Sequence, residues 1–237
     1  MDARLARLAE APVRAAILLD VDGVLAPIVE HPPDARVPDA TRRELRRLAG
    51  RYRLVACVSG RTGAEAERIV GVEGLAYVGS HGLELEPEAE RWRGRLQSFA
   101  RSLEWPVEDK GITVSLHYRG HPDVAAAEAA LRAIAERAGS VGLVPRFGRK
   151  VLELRPPVRA DKGTAVRRLL ARPGLDRALY AGDDTTDLDA FRGLEEAGLE
   201  LALRIAVSSR EAPGDLLAAA DLIVSGPEGM LELLELL

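Results

Sequence analysis

The stretch Ala15-Ala16-Ile17-Leu18-Leu19-Asp20-Val21-Asp22-Gly23 decides how this chain reads. Its first five residues are apolar on both faces, as a strand buried inside a parallel sheet must be. Two carboxylates follow at once, and in an extended segment their two-residue spacing puts Asp20 and Asp22 on the same side. The pattern of apolar run and polar turn recurs. Leu54 to Val58 runs into Ser59-Gly60-Arg61, Leu75 to Val78 into Gly79-Ser80-His81-Gly82, and Ala178 to Ala181 into Gly182-Asp183-Asp184-Thr185-Thr186-Asp187. Leu203 to Val207 and Leu222 to Val224 read as further strands. Helical patterns fall between them at Thr41 to Ala49, Gly63 to Val70, Lys162 to Ala171, Thr186 to Ala197 and Pro213 to Ala220, with Met230 to Leu237 as a closing helix. Thr41 and Glu44 have the spacing of a capping box. The alternation predicts an α/β fold with a doubly wound parallel sheet.

The middle of the chain breaks that rhythm. A helical stretch around Glu88 to Leu103 precedes a strand-like Gly111 to Tyr118 and an alanine-rich helix over Pro122 to Ala138. Two short strands follow, about Val141 to Pro145 and Lys150 to Leu154, with Gly148 in the turn. The expected organisation is a core of residues 1–83 plus 158–237 and an inserted α+β cap domain of residues 84–157, with Arg155-Pro156-Pro157 as its exit hinge.

Composition narrows the function classes. A chain of 237 residues buries roughly 70–75% of its unfolded surface and needs no staple to fold. The net charge of −4 leaves no nucleic-acid footprint. No run of apolar residues is long enough to span a membrane. Acidic Asp2 and Glu10 in place of a basic-then-apolar leader predict a cytoplasmic protein, and a monomer is expected. The single cysteine, Cys57, lies inside an apolar run and reads as an inert buried thiol. Of 33 Lys and Arg only Lys110, Lys150 and Lys162 are lysine. The chain also has no Asn and one Gln, Gln97; so few thermolabile amides fit a hot environment or, at least as well, a GC-rich genome, and each lysine raises the question of what an ammonium does there that a guanidinium cannot.

In an open parallel sheet the carboxyl ends of the strands share one edge, where ligands bind. Asp20, Asp22, Asp183 and Asp184 should therefore converge. Taken singly, each motif is a common surface turn; several together, each after a buried strand, point to a site. Like charges 4 Å apart repel by about 4 kcal/mol at an effective dielectric near 20, so a divalent cation is expected, and oxygen ligands suit Mg²⁺. Asp161 is a candidate N-cap for the helix that Lys162 opens. A cation there opposes the helix dipole. Either its head swings into water, or the ammonium and the helix N-terminus hold an anion together; the scarcity of lysine favours the second.

These groups form a phosphoryl-transfer set. Asp20 can accept a phosphoryl group as an aspartyl phosphate. Asp22 can protonate the leaving oxygen and then take a proton from the attacking water. Ser59 and Lys162 are expected to bind phosphoryl oxygens, with Mg²⁺ offsetting their charge.

Asp20-Val21-Asp22-Gly23, Ser59-Gly60-Arg61, Lys162-Gly163 and Gly182-Asp183-Asp184-Thr185-Thr186-Asp187 resemble the four ordered motifs of the haloacid dehalogenase superfamily of phosphatases. An insertion between the second and third motifs resembles members with the larger, C2-type cap. More narrowly, the chain resembles the trehalose-6-phosphate phosphatase family. That likeness rests on Pro27-Ile28-Val29-Glu30, Gly79-Ser80-His81-Gly82-Leu83-Glu84, Glu108-Asp109-Lys110, His117-Tyr118-Arg119 and Val151-Leu152-Glu153-Leu154-Arg155-Pro156. The resemblance implies Asp20 as nucleophile and Asp22 as acid and base. It implies Mg²⁺ on Asp20, the Asp22 backbone carbonyl and Asp183, with Asp184 and Asp187 in support. It implies sugar contacts from Glu108, Lys110, Arg119 and Glu153 in the cap and from Arg61 in the core. The reaction implied is hydrolysis of trehalose 6-phosphate, the last step of trehalose biosynthesis.

Two departures stand out. Val24 replaces a threonine common in the family, which removes a hydroxyl but no essential group. Arg149 occupies a lysine slot, and strand alternation puts Arg149, Val151 and Glu153 on one face with Lys150 on the other, so Arg149 is expected at the sugar. His81 and His117 each read either as a site residue or as a bystander, and Trp92 and Trp105 read as packing residues. The nearest rivals are capped phosphatases for sucrose phosphate or mannosyl-3-phosphoglycerate, followed by a phosphomutase and a non-catalytic sugar-phosphate sensor. Glu108 and Glu153 beside Lys110 and Arg119 suit a neutral sugar better than a glycerate, and a pure binder has no use for both Asp20 and Asp22.

Overall fold

A computed structural model gives the structure and describes residues 2–29, 31–148 and 150–237. Glu30 and Arg149, the latter expected at the sugar, lie outside the described residues. In chain order the elements are α1 (Ala3–Ala9), β1 (Ala15–Leu19), α2 (Asp39–Ala49), β2 (Leu54–Val58), α3 (Gly63–Val70) and β3 (Ala76–Val78). Next come α4 (Pro87–Arg101), β4 (Glu108–Asp109), β5 (Val114–His117), α5 (Val124–Ser140), β6 (Val144–Gly148) and β7 (Val151–Arg155). Then follow α6 (Lys162–Leu170), β8 (Arg177–Gly182), α7 (Asp187–Glu196), β9 (Leu201–Ser208), α8 (Gly214–Ala219), β10 (Leu222–Ser225) and α9 (Gly226–Glu235). The chain forms two compact units, residues 1–85 with 160–237, and residues 86–159.

The larger unit is built on a six-stranded sheet in the order β10-β9-β8-β1-β2-β3, with every pair parallel. All five residues of β1 are buried. Ile17 and Leu19 face a layer with Leu5 and Leu8 of α1, Leu45 and Leu48 of α2, Ile69 of α3 and Met230 of α9. Ala16 and Leu18 face the opposite layer, with Val166 of α6, Phe191 of α7 and Leu216 of α8. Helices on both faces explain why the strands read as continuous apolar runs. The chain moves from β1 outward to β3, then returns to place β8 on the other side of β1. That reversal makes the gap beyond the ends of β1 and β8 a topological switch point, where open α/β sheets bind ligands.

The smaller unit carries an antiparallel sheet in the order β4-β5-β7-β6. Val114, Leu116, Leu152 and Leu154 form one face and pack with Leu96 of α4 and Leu131 of α5. Trp92 and Trp105 pack against this core partly buried, and Trp105 Nε1 donates to the His117 carbonyl at 3.1 Å.

Two local expectations are corrected. The Thr41–Glu44 capping box does not form. α2 starts at Asp39 after Pro38, Thr41 is buried within the helix, and Glu44 accepts from Arg47. The capping box lies instead at Thr62 and Glu65, where α3 begins. In the smaller unit, Gly148 closes β6 opposite Val151, so it is a strand residue rather than a turn residue. β7 begins at Val151, so Lys150 is not a strand residue. It sits in the turn at φ 64°, with Nζ 5.4 Å from the centroid of the Tyr118 ring. Among the described residues, no helix is long and apolar enough to cross a membrane.

Candidate active site

Asp20 follows β1 and Asp183 follows β8, and the Asp20 amide donates to the Ala181 carbonyl at 2.9 Å. Parallel pairing of β1 with β8 thus brings two sequence-distant carboxylates to one edge. Oxygens of Asp20, Asp183 and Asp187 all lie within 4.8 Å of one another, and all three residues are buried. Gly23 makes room for this. At φ 76° it adopts a left-handed conformation, and a Cβ there would fall 1.9 Å from Asp183 Oδ2.

Lys162 holds the cluster together. Asp161 caps α6 as expected, accepting from the Thr164 amide at 2.7 Å. The Lys162 side chain does not swing into water: it is only 2% exposed, and Nζ donates to Asp20 Oδ2 and Asp187 Oδ1, both at 2.7 Å. Two of its three N–H groups are thereby used. α6 comes close to α7 at a glycine, since a Cβ on Gly163 would lie 2.3 Å from the Asp189 carbonyl oxygen. That close approach sets Lys162 beside Asp187.

Asp187 is fully engaged. Its Oδ1 accepts from Lys162 and from the Tyr180 hydroxyl at 2.7 Å, and its Oδ2 accepts from the amides of Asp183 and Asp184 at 2.8 and 2.9 Å. A carboxylate has about four lone-pair sites, so Asp187 serves as scaffold and leaves Asp20 and Asp183 to face a ligand. Tyr180 was not a sequence candidate. The available signal was a hydroxyl inside an otherwise apolar strand, which must find a partner when buried.

The charges are poised by burial. Burial raises the Asp20 carboxyl, and Asp187 adds repulsion against the pull of Lys162. Asp183 is pushed up to about 7 by burial first, then by Asp187 and Asp184. Lys162 stays cationic: burial disfavours its charge, but Asp20 and Asp187 outweigh it and raise its pKa. Burial also acts on Asp184, yet Lys162 and two hydrogen bonds from Thr186 at 2.6 Å hold it below the usual range. Such a set, with one lysine among several carboxylates, suits a divalent cation bound by oxygen.

The remaining candidates divide between the two units. Ser59 is buried at the end of β2, its Oγ accepting from the Arg61 amide at 3.2 Å. Arg61 forks onto Asp22, with Nε 2.6 Å from Oδ2 and Nη2 2.7 Å from Oδ1. In the smaller unit, the sheet register sets Glu108, Ser115, Glu153 and Arg146 in one row. Glu108 Oε2 lies 2.7 Å from His117 Nε2 and 3.6 Å from Lys110 Nζ. Glu153 lies 3.9 Å from Arg155, and Arg119 is exposed just beyond β5. Cys57 is a free, buried thiol that burial pushes up.

Six parallel strands, a carboxylate cluster at the switch point and a separate antiparallel sheet define a haloacid dehalogenase-like hydrolase fold. The C-terminal domain of the Candida albicans trehalose-6-phosphate phosphatase shares it, with a TM-score of 0.69 at 23% identity over 99% of this chain and 96% of that one. A haloacid dehalogenase-like hydrolase from Bacteroides thetaiotaomicron gives 0.59 at 15% identity, over 93% and 98%. The sequence matches the trehalose-phosphatase family profile over residues 18–106 and 105–222, and the chain belongs to that family. It is 35% identical to the trehalose-phosphate phosphatase of Mycobacterium marinum, over 81% of this chain and 54% of that protein. A probable trehalose-phosphate phosphatase of Oryza sativa is 32% identical, over 78% and 61%. An uncharacterized glycosyl hydrolase of Mycobacterium tuberculosis is 34% identical, over 81% and 16%. The chain thus spans less than two thirds of the length of these relatives.

Proposed function

We propose that the protein is a Mg²⁺-dependent phosphatase that hydrolyses trehalose 6-phosphate to trehalose and phosphate, the last step of trehalose formation. The observation that carries this reading is Asp20, buried at the switch point, bonded to Lys162 and grouped with Asp183. Asp20 and Asp183, with the Asp22 backbone carbonyl, would hold Mg²⁺. The bound ion offsets the charge of carboxylates and phosphoryl oxygens. Asp20 attacks phosphorus through a carboxylate oxygen, forming the aspartyl phosphate as the bond from phosphorus to the sugar oxygen breaks. Asp22 gives its proton to that oxygen, then takes one from the water that attacks phosphorus and frees Asp20. The fork of Arg61 occupies both oxygens of Asp22, so Arg61 must release Asp22 before that carboxyl can reach the leaving oxygen. Ser59 and the third N–H of Lys162 bind phosphoryl oxygens. We assign sugar recognition to Glu108, Lys110, Arg119 and Glu153 of the smaller unit, and to Arg61 once it is released.

A panel of sugar phosphates assayed for phosphate release, with Mg²⁺ or a chelator, tests the reading. The highest kcat/KM is expected for trehalose 6-phosphate, and only with Mg²⁺. Faster turnover of sucrose phosphate or a phosphoglycerate would reassign the substrate, and no release from any ester would refute the reading.

Asp183 makes a second test. An unfolded chain releases an aspartic proton near about 3.9, whereas burial holds the folded-state value up to about 7. The folded, metal-free protein binds this proton more tightly, so it loses stability as pH rises from about 4 through about 7. A cation binds the carboxylate form. The rise in Tm on adding Mg²⁺ is therefore expected to be larger at about pH 8 than at about pH 6. Scanning calorimetry that finds equal rises would contradict Asp183 as the proton-linked ligand.

A further inference from the structure

Three consecutive residues after β3 have left-handed backbones: Ser80 at φ 52°, His81 at φ 54° and Gly82 at φ 91°. Two of them carry side chains, for which this region is sparsely populated and costly. The strain is held by bonds to one tripeptide. The Ser80 amide donates to the Arg61 carbonyl at 2.7 Å, and the His81 amide donates to the Ser59 carbonyl at 2.9 Å. Glu84 closes the arrangement, with Oε1 accepting from the Gly63 amide at 2.9 Å and Oε2 from the Gly79 amide at 3.0 Å. Gly63 opens α3, whose first amides have no partner within the helix. The His81 ring packs on Gly60, where a Cβ would fall 2.7 Å from Cε1.

We infer that Ser80 to Glu84 is the positioning element of the Ser59-Gly60-Arg61 loop, acting through its left-handed backbone and the Glu84 carboxylate. The inference rests on the proposed phosphatase reading, in which Ser59 binds a phosphoryl oxygen and Arg61 holds Asp22. Both carbonyls flanking Gly60 are tied by successive amides, a geometry that an ordinary extended or helical turn at residues 80–81 does not offer. Neither the His81 ring nor Glu84 has a part in the proposed chemical steps: Glu84 positions the loop through its carboxylate, and His81 through its backbone alone.

Backbone and side-chain roles separate cleanly at His81. Asn tolerates the left-handed region and Val does not. His81→Asn is expected to keep kcat within about threefold of the starting protein. His81→Val and Glu84→Gln are expected to lower kcat with trehalose 6-phosphate, and affinity for inorganic phosphate measured calorimetrically with Mg²⁺, by about 10–100-fold. Should His81→Val not fold, Glu84→Gln decides. A Glu84→Gln protein with lower Tm but unchanged kcat and phosphate affinity would reduce the segment to a structural prop and overturn the inference. So would His81→Asn losing as much as His81→Val, since the ring would then be the acting group. A starting protein that binds phosphate yet hydrolyses no ester would refute the phosphatase reading instead, while the phosphate affinities of the variants would still decide the positioning role.

Discussion

Asp20→Asn is expected to abolish phosphate release while leaving the protein folded. The carboxylate is the proposed nucleophile, and an amide cannot replace it, so the loss should be on the order of 10⁴–10⁶-fold, the scale on which covalent catalysts fail without their nucleophile. The fold should survive for a physical reason. Burial and Asp187 both resist charge at Asp20, and a neutral amide of the same shape relieves both. Its oxygen can still accept from Lys162. Thermal unfolding of the variant should stay within a few degrees of the starting protein. A variant that keeps most of its turnover would remove Asp20 from the chemistry.

Lys162→Met should damage fold and activity together. Lys162 bridges Asp20 and Asp187, both buried, and its removal leaves two carboxylates without a cation. Removing one partner of a buried ion pair costs about 3–5 kcal/mol. For a chain of this size that corresponds to a fall in Tm of roughly 6–20 °C. Loss of a preorganised donor should lower kcat by about 10²–10³-fold in protein that remains folded. Lys162→Arg keeps the charge but must place a planar guanidinium in a site with almost no exposure. Its Tm should fall between the other two proteins, with most of the activity gone. Unchanged melting and turnover in Lys162→Met would contradict the bridge.

The sheet was legible because its strands are buried on both faces, so β1 and β2 appear as unbroken apolar runs with the observed bounds. The hairpin of the smaller unit was displaced for the opposite reason. β6 is mostly exposed and contains Pro145, which suits an edge strand but breaks the apolar signal. The apolar run at Val141 to Val144 drew the expected strand forward, although Val141 caps α5 and Gly142 turns at φ 83°. The start of α2 was missed because a Thr-x-x-Glu pattern outweighed Pro38-Asp39, two residues upstream. The carboxylates at the strand ends were legible because topology alone gathers them. What apolar patterning could not give was the side-chain bonding, both across a turn, as with Tyr180 on Asp187 and Glu84 on Gly79, and between separate loops, as with Arg61 on Asp22 and Glu84 on Gly63. The lysines sort the same way. Lys162 fills a buried point between carboxylates and Lys110 lies beside Glu108, whereas Lys150 rests over Tyr118, where an arginine would serve as well.

The covalent step through Asp20 is the central claim. Its most direct measurement is an acid quench of the enzyme during turnover of trehalose 6-phosphate labelled in the phosphoryl group, followed by peptide mapping. The account predicts label on the peptide containing Asp20, formed at the rate of sugar release and absent from Asp20→Asn. Rapid turnover with no label on the protein, or label on a peptide lacking Asp20, would contradict it.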